Sequence, residues 1–494
     1  MPINGSYVCP ALVRGKRLIK TQYSNCFLRL TLWTGLLLIL VAQLTAQTFT
    51  TLYSFTAINN NTNEDGINPF CELVLSDGTL FGTALQGGSF NSGTVFAVNT
   101  NSTGFTNLYS FTGGNDGADP QGELALSGNS LFGITEYGGS NNFGTVFKVN
   151  TDGTGLTNLY SFGGGRDGSY PLGGLALSGN RLYGTTYYGG SSLTNGTIFA
   201  VNTNGTGFTN LYSFTGGRDG RFPFDRPILS NGILYGTTSS GGSFNNGTVF
   251  AINTNGTGFT NLYSFTGGSD GSKPTGGLVL SGHILYGTTE YGGSSGSGAI
   301  YAVNTNGTGF TNLYSFTVLN NFTNSDGANP YAGLVLSGNT LYGTALMGGA
   351  GSGTLFAVNT DGSGFTNLYT FTVLNNFTNS DGANPATRLM LTGNALYGTA
   401  EYGGVHRAII GGSGTVFRFS LAAVSPPQLA ITRSGTNVIL TWSASAPRFT
   451  LQSATNLISS ASWNTVSPDP VVLNGLNTVT NPVASAEVFY RLSQ

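Results

Sequence analysis

The sequence predicts an all-β fold: a seven-bladed β-propeller closed by its own N-terminal strand and followed by a small β-sandwich. Three observations carry that expectation. The motif LYSF, or LYTF, begins at Leu52, Leu108, Leu159, Leu211, Leu262, Leu313 and Leu368, at intervals of 51 to 56 residues. Self-similarity at such a period marks an array of one small unit. Each unit is built of short runs rich in Leu, Val, Phe, Tyr and Thr, bounded by Gly, Asn and Ser, with no helical periodicity. The ends are also complementary in phase. The repeat region opens on a fourth-strand pattern, TFTTLYSFT (Thr48–Thr56), and closes on a third-strand pattern, GTVFRFS (Gly414–Ser420). A ring uses the first strand to complete the last sheet and removes an exposed edge, whereas an open stack gives no reason for the match.

Residues 1–46 read as a secretory signal peptide. They hold Arg14, Lys16, Arg17, Lys20 and Arg29 without an acid, then the uncharged run LTLWTGLLLILVAQLTA up to Ala46. The competing reading is a retained anchor, although seventeen residues is at the short limit for a membrane span. Of the 18 basic residues, these five leave thirteen against 20 acidic ones, a net charge of about −7. Nucleic acid is excluded as a partner because nothing supplies a basic face for phosphates. Cys9 and Cys26 fall in the leader and only Cys71 remains, so no disulfide forms within the mature chain. The expected location is secreted or at the cell surface, with no membrane span in the mature chain.

Residues 47–420 are the propeller. One unit reads GGLALSG, RLYGTTYY, GTIFAVNT and GFTNLYSFT from Gly173 onward, a four-stranded antiparallel meander. Links such as SGN and NTNGTG suit tight hairpins, since Gly and Asn accept positive φ at low cost. Leu211, Tyr212 and Phe214 are expected to pack blade against blade. Gly184 and Gly236, in mid-strand, allow close approach. The recurring combination NLYSF, DG..P, LYGTT, YGG and GTVF.VNT resembles the choice-of-anchor tandem repeat family called GloVer, over about three quarters of the chain. The resemblance implies an exported or surface-displayed bacterial protein, with no activity or catalytic set to carry over. The family name refers to varied C-terminal attachment signals. The end of this chain, EVFYRLSQ, has neither an apolar span nor a basic tail, so it departs from anchored members.

A linker, 421–428, leads to residues 429–494, whose alternating pattern around Gly435 and whose Trp442, Trp463 and final EVFYRL fit a small sandwich similar to fibronectin type III. Such a module suggests sorting or docking; a spacer or cap is the plainer alternative.

In the meander, the link from strand four to the next strand one shares a face with the link from strand two to strand three. The longer loops gather there, where function is expected. Each copy contributes one Asp of DG..P: Asp65, Asp116, Asp167, Asp219, Asp270, Asp326 and Asp381. They are candidates to ring the channel mouth and hold calcium; alternatively Asp-Gly simply makes the turn. The links before Asp65, Asp326 and Asp381 are longer than the others. They belong to blades adjacent once the ring closes, which predicts a raised wall on one side. Blade 4 carries Arg218, Arg221, Asp225 and Arg226 in a chain that is only 8% charged. Arginine suits the carboxylates or sulfates of an acidic glycan, and Tyr137, Tyr188, Tyr291 and Tyr402 on the same face are candidates to stack on sugars.

The expectation for function is a non-enzymatic scaffold that binds an extracellular polysaccharide or a surface protein, with no cofactor. A propeller-type polysaccharide lyase or hydrolase, and a purely structural matrix protein, are the alternatives. Catalysis needs groups of distinct role at one place, whereas ring symmetry makes copies. The two histidines, His283 and His406, lie on different blades, and only Glu136, Glu290 and Glu401 recur with acid-base potential.

Overall fold

In the computed structural model, the described residues are 47–57, 63–406, 412–421, 428–443, 449–455, 463–467, 470–473, 475–482 and 488–493. The leader and its cleavage region lie outside them, as do parts of the link before Asp65 and of the loop after His406. The chain divides into two units, Gln47–Leu421 apart from three residues, and the segment from Ala422 onward.

The first unit consists of seven four-stranded antiparallel sheets. Blade 4 is typical, with strands Ile228–Ser230, Ile233–Thr238, Thr248–Asn253 and Thr260–Ser264 from the axis outward. The second and third strands are buried on both faces and the outer strand is half exposed. This pattern follows from stacking each sheet between two others, and the apolar clusters confirm it by drawing on successive blades. Val249, Leu262 and Phe265 of blade 4 pack with Leu278, Leu285 and Tyr301 of blade 5. The mid-strand glycines are covered by an aromatic ring. A Cβ on Gly184 would lie 2.6 Å from Phe199 Cζ, and one on Gly236 would lie 2.5 Å from Phe250 Cζ.

Blade 7 is completed by the first strand of the chain. Thr48–Ser54 pairs antiparallel with Thr415–Ser420 from Thr48↔Ser420 to Ser54↔Thr415. The closing joint repeats the contacts of the others. Between most successive blades the outer-strand Tyr stacks on a Phe of the next blade, as in Tyr212 on Phe259 (4.0 Å between centroids) and Tyr263 on Phe310 (3.9 Å). At the joint, Phe49 takes that role against Tyr369 (4.1 Å), and Tyr53 stacks on Phe105 (3.7 Å). Six times an outer-strand Asn donates to the carbonyl that precedes the DG aspartate of the preceding link. The seventh donor is Thr51, to the Ser380 carbonyl at 2.8 Å.

A further joint is made at DG..P. The residue before each proline donates its backbone N–H, at 2.8–3.0 Å, to the residue before the Gly of GTVF in the preceding blade: Asn68 to Ser413, Asp119 to Ser92, Tyr170 to Phe143, Phe222 to Asn195, Lys273 to Asn246, Asn329 to Ser297 and Asn384 to Ser352. The proline then packs on that glycine. Gly247 has φ +96, and a Cβ there would collide with the Pro274 ring.

The second unit has a four-stranded sheet, in the order Ala430–Ser434, Asn437–Ser443, Leu476–Pro482, Val471–Leu473. Its three-stranded sheet runs Asn464–Thr465, Thr450–Ala454, Phe489–Ser493. Val438, Leu440 and Trp442 from one sheet share a core with Leu451 and Leu492 from the other.

The joint makes a specific prediction. Gly247→Ala, strained in φ and blocked by the next blade, should destabilise the fold by about 3 kcal/mol. Gly282→Ala, also at positive φ (+56) but with open space around it, should cost only about 1 kcal/mol. Denaturant melts of the two variants compare them directly; equal losses would mean that the Gly–Pro contact adds nothing.

Candidate functional site

The same joint builds the long-loop face. Because its N–H must reach the preceding blade, the residue before each proline adopts a left-handed backbone, with φ from +53 to +60 in all seven copies. Asparagine (Asn68, Asn329, Asn384) accepts this conformation readily, and Asp119 nearly so. Blades 3, 4 and 5 carry Tyr170, Phe222 and Lys273 instead, where a bulky side chain costs about 1 kcal/mol or more. The residues that flank this position also change from blade to blade, while DG, Pro, YGT and GTVF or close variants stay. In blade 3 the patch is Ser169, Tyr170, Tyr187 and Tyr188; in blade 4 it is Arg221, Phe222, Ser239 and Ser240. A constant frame thus presents a different small surface on each blade.

Over blades 2 to 5 that surface is aromatic and cationic. Ring centroids step from Tyr137 to Tyr170 (5.3 Å), to Tyr188 (5.9 Å) and to Phe222 (5.4 Å), each pair edge to face. Tyr187 lies flat against Phe222 at 4.9 Å. The Arg221 guanidinium sits 5.0 Å from the Phe222 ring centre. The Lys273 ammonium is 5.2 Å from that of Tyr291 and 2.8 Å from the Glu290 carboxylate.

Residues just after the proline line the axial channel. Phe224 meets Tyr331 at 5.2 Å and Tyr331 meets Phe70 at 6.1 Å, three blades contributing one ring each. Further along the chain from this aromatic cover, Arg226 pairs with Glu123 and lies 3.8 Å from Glu72, which Arg388 approaches at 3.8 Å. Arg388 also donates to the Leu278 carbonyl at 3.0 Å. Asp225 accepts from the Gly277 N–H and, at 2.7 Å, from the Arg226 N–H. Glycines at the corresponding positions of blades 5 and 6, Gly277 and Gly333, leave the room that Arg388 occupies. Burial pushes the Asp225 carboxyl up to about 6 against the pull of Arg388, and burial lowers Arg226 to about 10 against the support of Glu72. The cavity these groups line is about 50 Å³, room for a few waters. Five charged groups from four blades therefore tie the ring across its axis, and no polymer fits among them.

The Gloeobacter/Verrucomicrobia repeat model matches residues 39–194, 164–318 and 315–434, about four fifths of the chain. The protein belongs to that family. No curated protein matches it. Among solved structures it is similar to an oligogalacturonate lyase in complex with manganese (10% identity, 76% of this chain and 97% of that one, TM-score 0.45). It is also similar to a Mycobacterium tuberculosis puromycin-hydrolyzing peptidase (12%, 80% and 61%, 0.46) and to PorZ of Porphyromonas gingivalis (14%, 88% and 59%, 0.43). At these values none bears on what a Gloeobacter/Verrucomicrobia repeat protein binds.

In this repeat protein the expected sites are redistributed. The seven aspartates do not ring the channel mouth. Each folds back onto the outer strand just before it, accepting a Tyr hydroxyl at 2.7–3.0 Å (Tyr53 for Asp65, Tyr109 for Asp116, Tyr160 for Asp167, Tyr212 for Asp219, Tyr263 for Asp270, Tyr314 for Asp326, Tyr369 for Asp381). A backbone N–H, in six cases that of a Thr, adds a bond at 2.6–2.8 Å. The chain reaches the axis only after the proline, so the ring on which a calcium site depended does not form. Among the described residues no group of three or more His, Cys, Asp or Glu could hold a metal ion. The charges of blade 4 separate: Arg218 and Arg221 stay on the long-loop face, whereas Asp225 and Arg226 turn into the channel. Tyr137, Tyr188 and Tyr291 are exposed at 36%, 39% and 44%, but Tyr402 is half-buried, its hydroxyl pushed up by burial and by Glu401. The three long links do fall side by side, between blades 5 and 6, 6 and 7, and 7 and 1. Asn324 anchors the first and Asn379 the second through backbone hydrogen bonds, with Phe322 exposed between Asn320 and Thr323.

Sequence reasoning missed Glu72, Glu123 and Arg388 in the channel, and Tyr170, Phe222 and Lys273 on the face. Aligning the copies on the proline, rather than on LYSF, places each set in one column.

Asp119, in the left-handed position of blade 2, has its carboxyl pushed up to about 6, by burial first and by Glu136 second. An acid that holds its proton more tightly when folded is unfavourable to folding above about pH 6, and the penalty disappears below about pH 4. Asp119→Asn, the residue blades 1, 6 and 7 use, should therefore stabilise the fold at pH 7.5 by about 1 kcal/mol after allowance for solvent screening, and change nothing at pH 4. Thermal melts at both pH values test this; an equal gain at both would remove the carboxyl's charge as the cause.

Proposed function

We propose that this protein is an exported, non-enzymatic scaffold that binds a polymeric glycan or a partner surface through the long-loop face of its propeller. The observation that supports this reading is the constant frame with varied patches, and above all the bulky Tyr170, Phe222 and Lys273 held where asparagine would be unstrained. Residues retained at a cost to folding are expected to serve a ligand. Export is read from the basic and apolar leader at residues 1–46. The second unit, read as similar to fibronectin type III, serves placement at the surface. The enzymatic alternative has one specific observation in its favour: Asp119 and Glu136 lie together beside exposed Tyr137, and both carboxyls are raised.

The purified protein should bind one or more polysaccharides or envelope fractions on an immobilised panel. Tyr188→Ala and Tyr291→Ala should weaken retention at least tenfold, a loss of about 1.4 kcal/mol. His283→Asn, in a hairpin on the opposite face, should leave it unchanged. Release of reducing ends from any bound polymer, abolished by Asp119→Asn, would replace this reading with the enzymatic one.

A further inference from the structure

Resting on the reading just given, we infer the ligand's chemical class: the sector of blades 2 to 5 is a subsite for an anionic pyranose polymer, a polysaccharide of uronic acids. Tyr137, Tyr170, Tyr188 and Phe222 form a continuous run of rings from blade 2 to blade 4, with Tyr137 and Tyr188 more than a third exposed. Apolar pyranose faces pack on such rings, and the edge-to-face arrangement offers both ring faces and ring edges to a ligand. The two residues that bridge this run between blades, Tyr170 and Phe222, are the ones in the left-handed position, with φ +54 and +60. The backbone joint does not require them, since Asn68, Asn329 and Asn384 make it equally well.

The sign of the ligand follows from which charges solvent can reach. Beyond the leader the chain is acidic, yet over blades 3 to 5 the accessible charge of this sector is positive. Arg166 and Arg218 are exposed, Arg221 lies over Phe222, and the Lys273 side chain is 42% exposed. The neighbouring acids of blades 3 to 5 are occupied: Asp167, Asp219 and Asp270 each bind a Tyr hydroxyl and a backbone N–H, and the Glu290 side chain is only 8% exposed against Lys273. At the blade 2 end Asp119 and Glu136 lie beside Tyr137, with Glu136 accepting from Gln121 Nε2 at 2.7 Å. Rings for the sugar faces and guanidinium forks for carboxylates therefore stand side by side.

Affinity gels loaded with polygalacturonate or with a neutral glucan test this. Polygalacturonate should retard the protein and the neutral glucan should not, and raising salt from 0.05 to 0.5 M should weaken the interaction at least tenfold. The double variant Tyr170→Asn/Phe222→Asn should melt no lower than the parent and lose at least tenfold in polygalacturonate affinity. Arg218→Gln/Arg221→Gln, confined to the face, should lose a similar factor and flatten the salt dependence. Unchanged polygalacturonate affinity in both double variants overturns the site. Equal or stronger retention on the neutral glucan, lost in Tyr170→Asn/Phe222→Asn, overturns the anionic class and leaves the glycan-binding face standing. Retention on neither polymer overturns the inference, and only silence across the whole polysaccharide and envelope panel overturns the glycan reading as well.

Discussion

Each blade is fastened to its predecessor by a proline-flanked turn whose backbone runs left-handed so that one N–H can cross the gap, and the rest of the molecule is arranged around that requirement. The proline must then lie on the preceding blade, which only a glycine at strongly positive φ accommodates. The DG aspartate, held by tyrosine and threonine, sets where the turn begins. No single such contact is strong: a hydrogen bond contributes about 1 kcal/mol net. Seven in a closed circuit, six of them backed by an aromatic stack, six by an asparagine bridge and the closing one by Thr51, hold every blade to its neighbours.

Closure also explains the division of labour along each repeat. Segments that touch the next blade are copied almost unchanged, because each must fit an identical neighbour. Segments that meet solvent or the axis are free to differ. Around the axis the differences complement one another, with Glu72 and Glu123 from two blades answered by Arg226 and Arg388 from two others. Carboxylates and guanidinium groups so enclosed stabilise the ring only when all are present, since any one left alone in that small cavity would carry the desolvation cost unpaired. On the outer face the differences concentrate on one side, where three consecutive blades carry Tyr, Phe and Lys in the strained position, opposite the side where the long links cluster.

Most of the fold was legible in the sequence because period, strand composition and end phase are local or one-dimensional properties. Thr48–Thr56 announced its own destination by matching the missing outer strand. The site was less legible for two physical reasons. Asp65 and its six counterparts precede the innermost strand, which suggested the axis, but several residues intervene and the carboxylates fold back to the outer strand. Asp225 and Arg226 follow Arg221 closely, which suggested a single charged patch, but the proline turns the chain inward between them. Glu123 and Arg388 lie 265 positions apart, and nothing in either neighbourhood announces that they face one cavity.

Ring closure by the first strand is tested most directly by removing it. A chain beginning at Ala57 should melt well below the full protein and less cooperatively, and a synthetic peptide covering Gln47–Thr56 should bind it and restore the transition in a dose-dependent way, with a Phe49→Ala peptide markedly weaker. A truncated chain that melts like the full protein and ignores the peptide would contradict the closed ring.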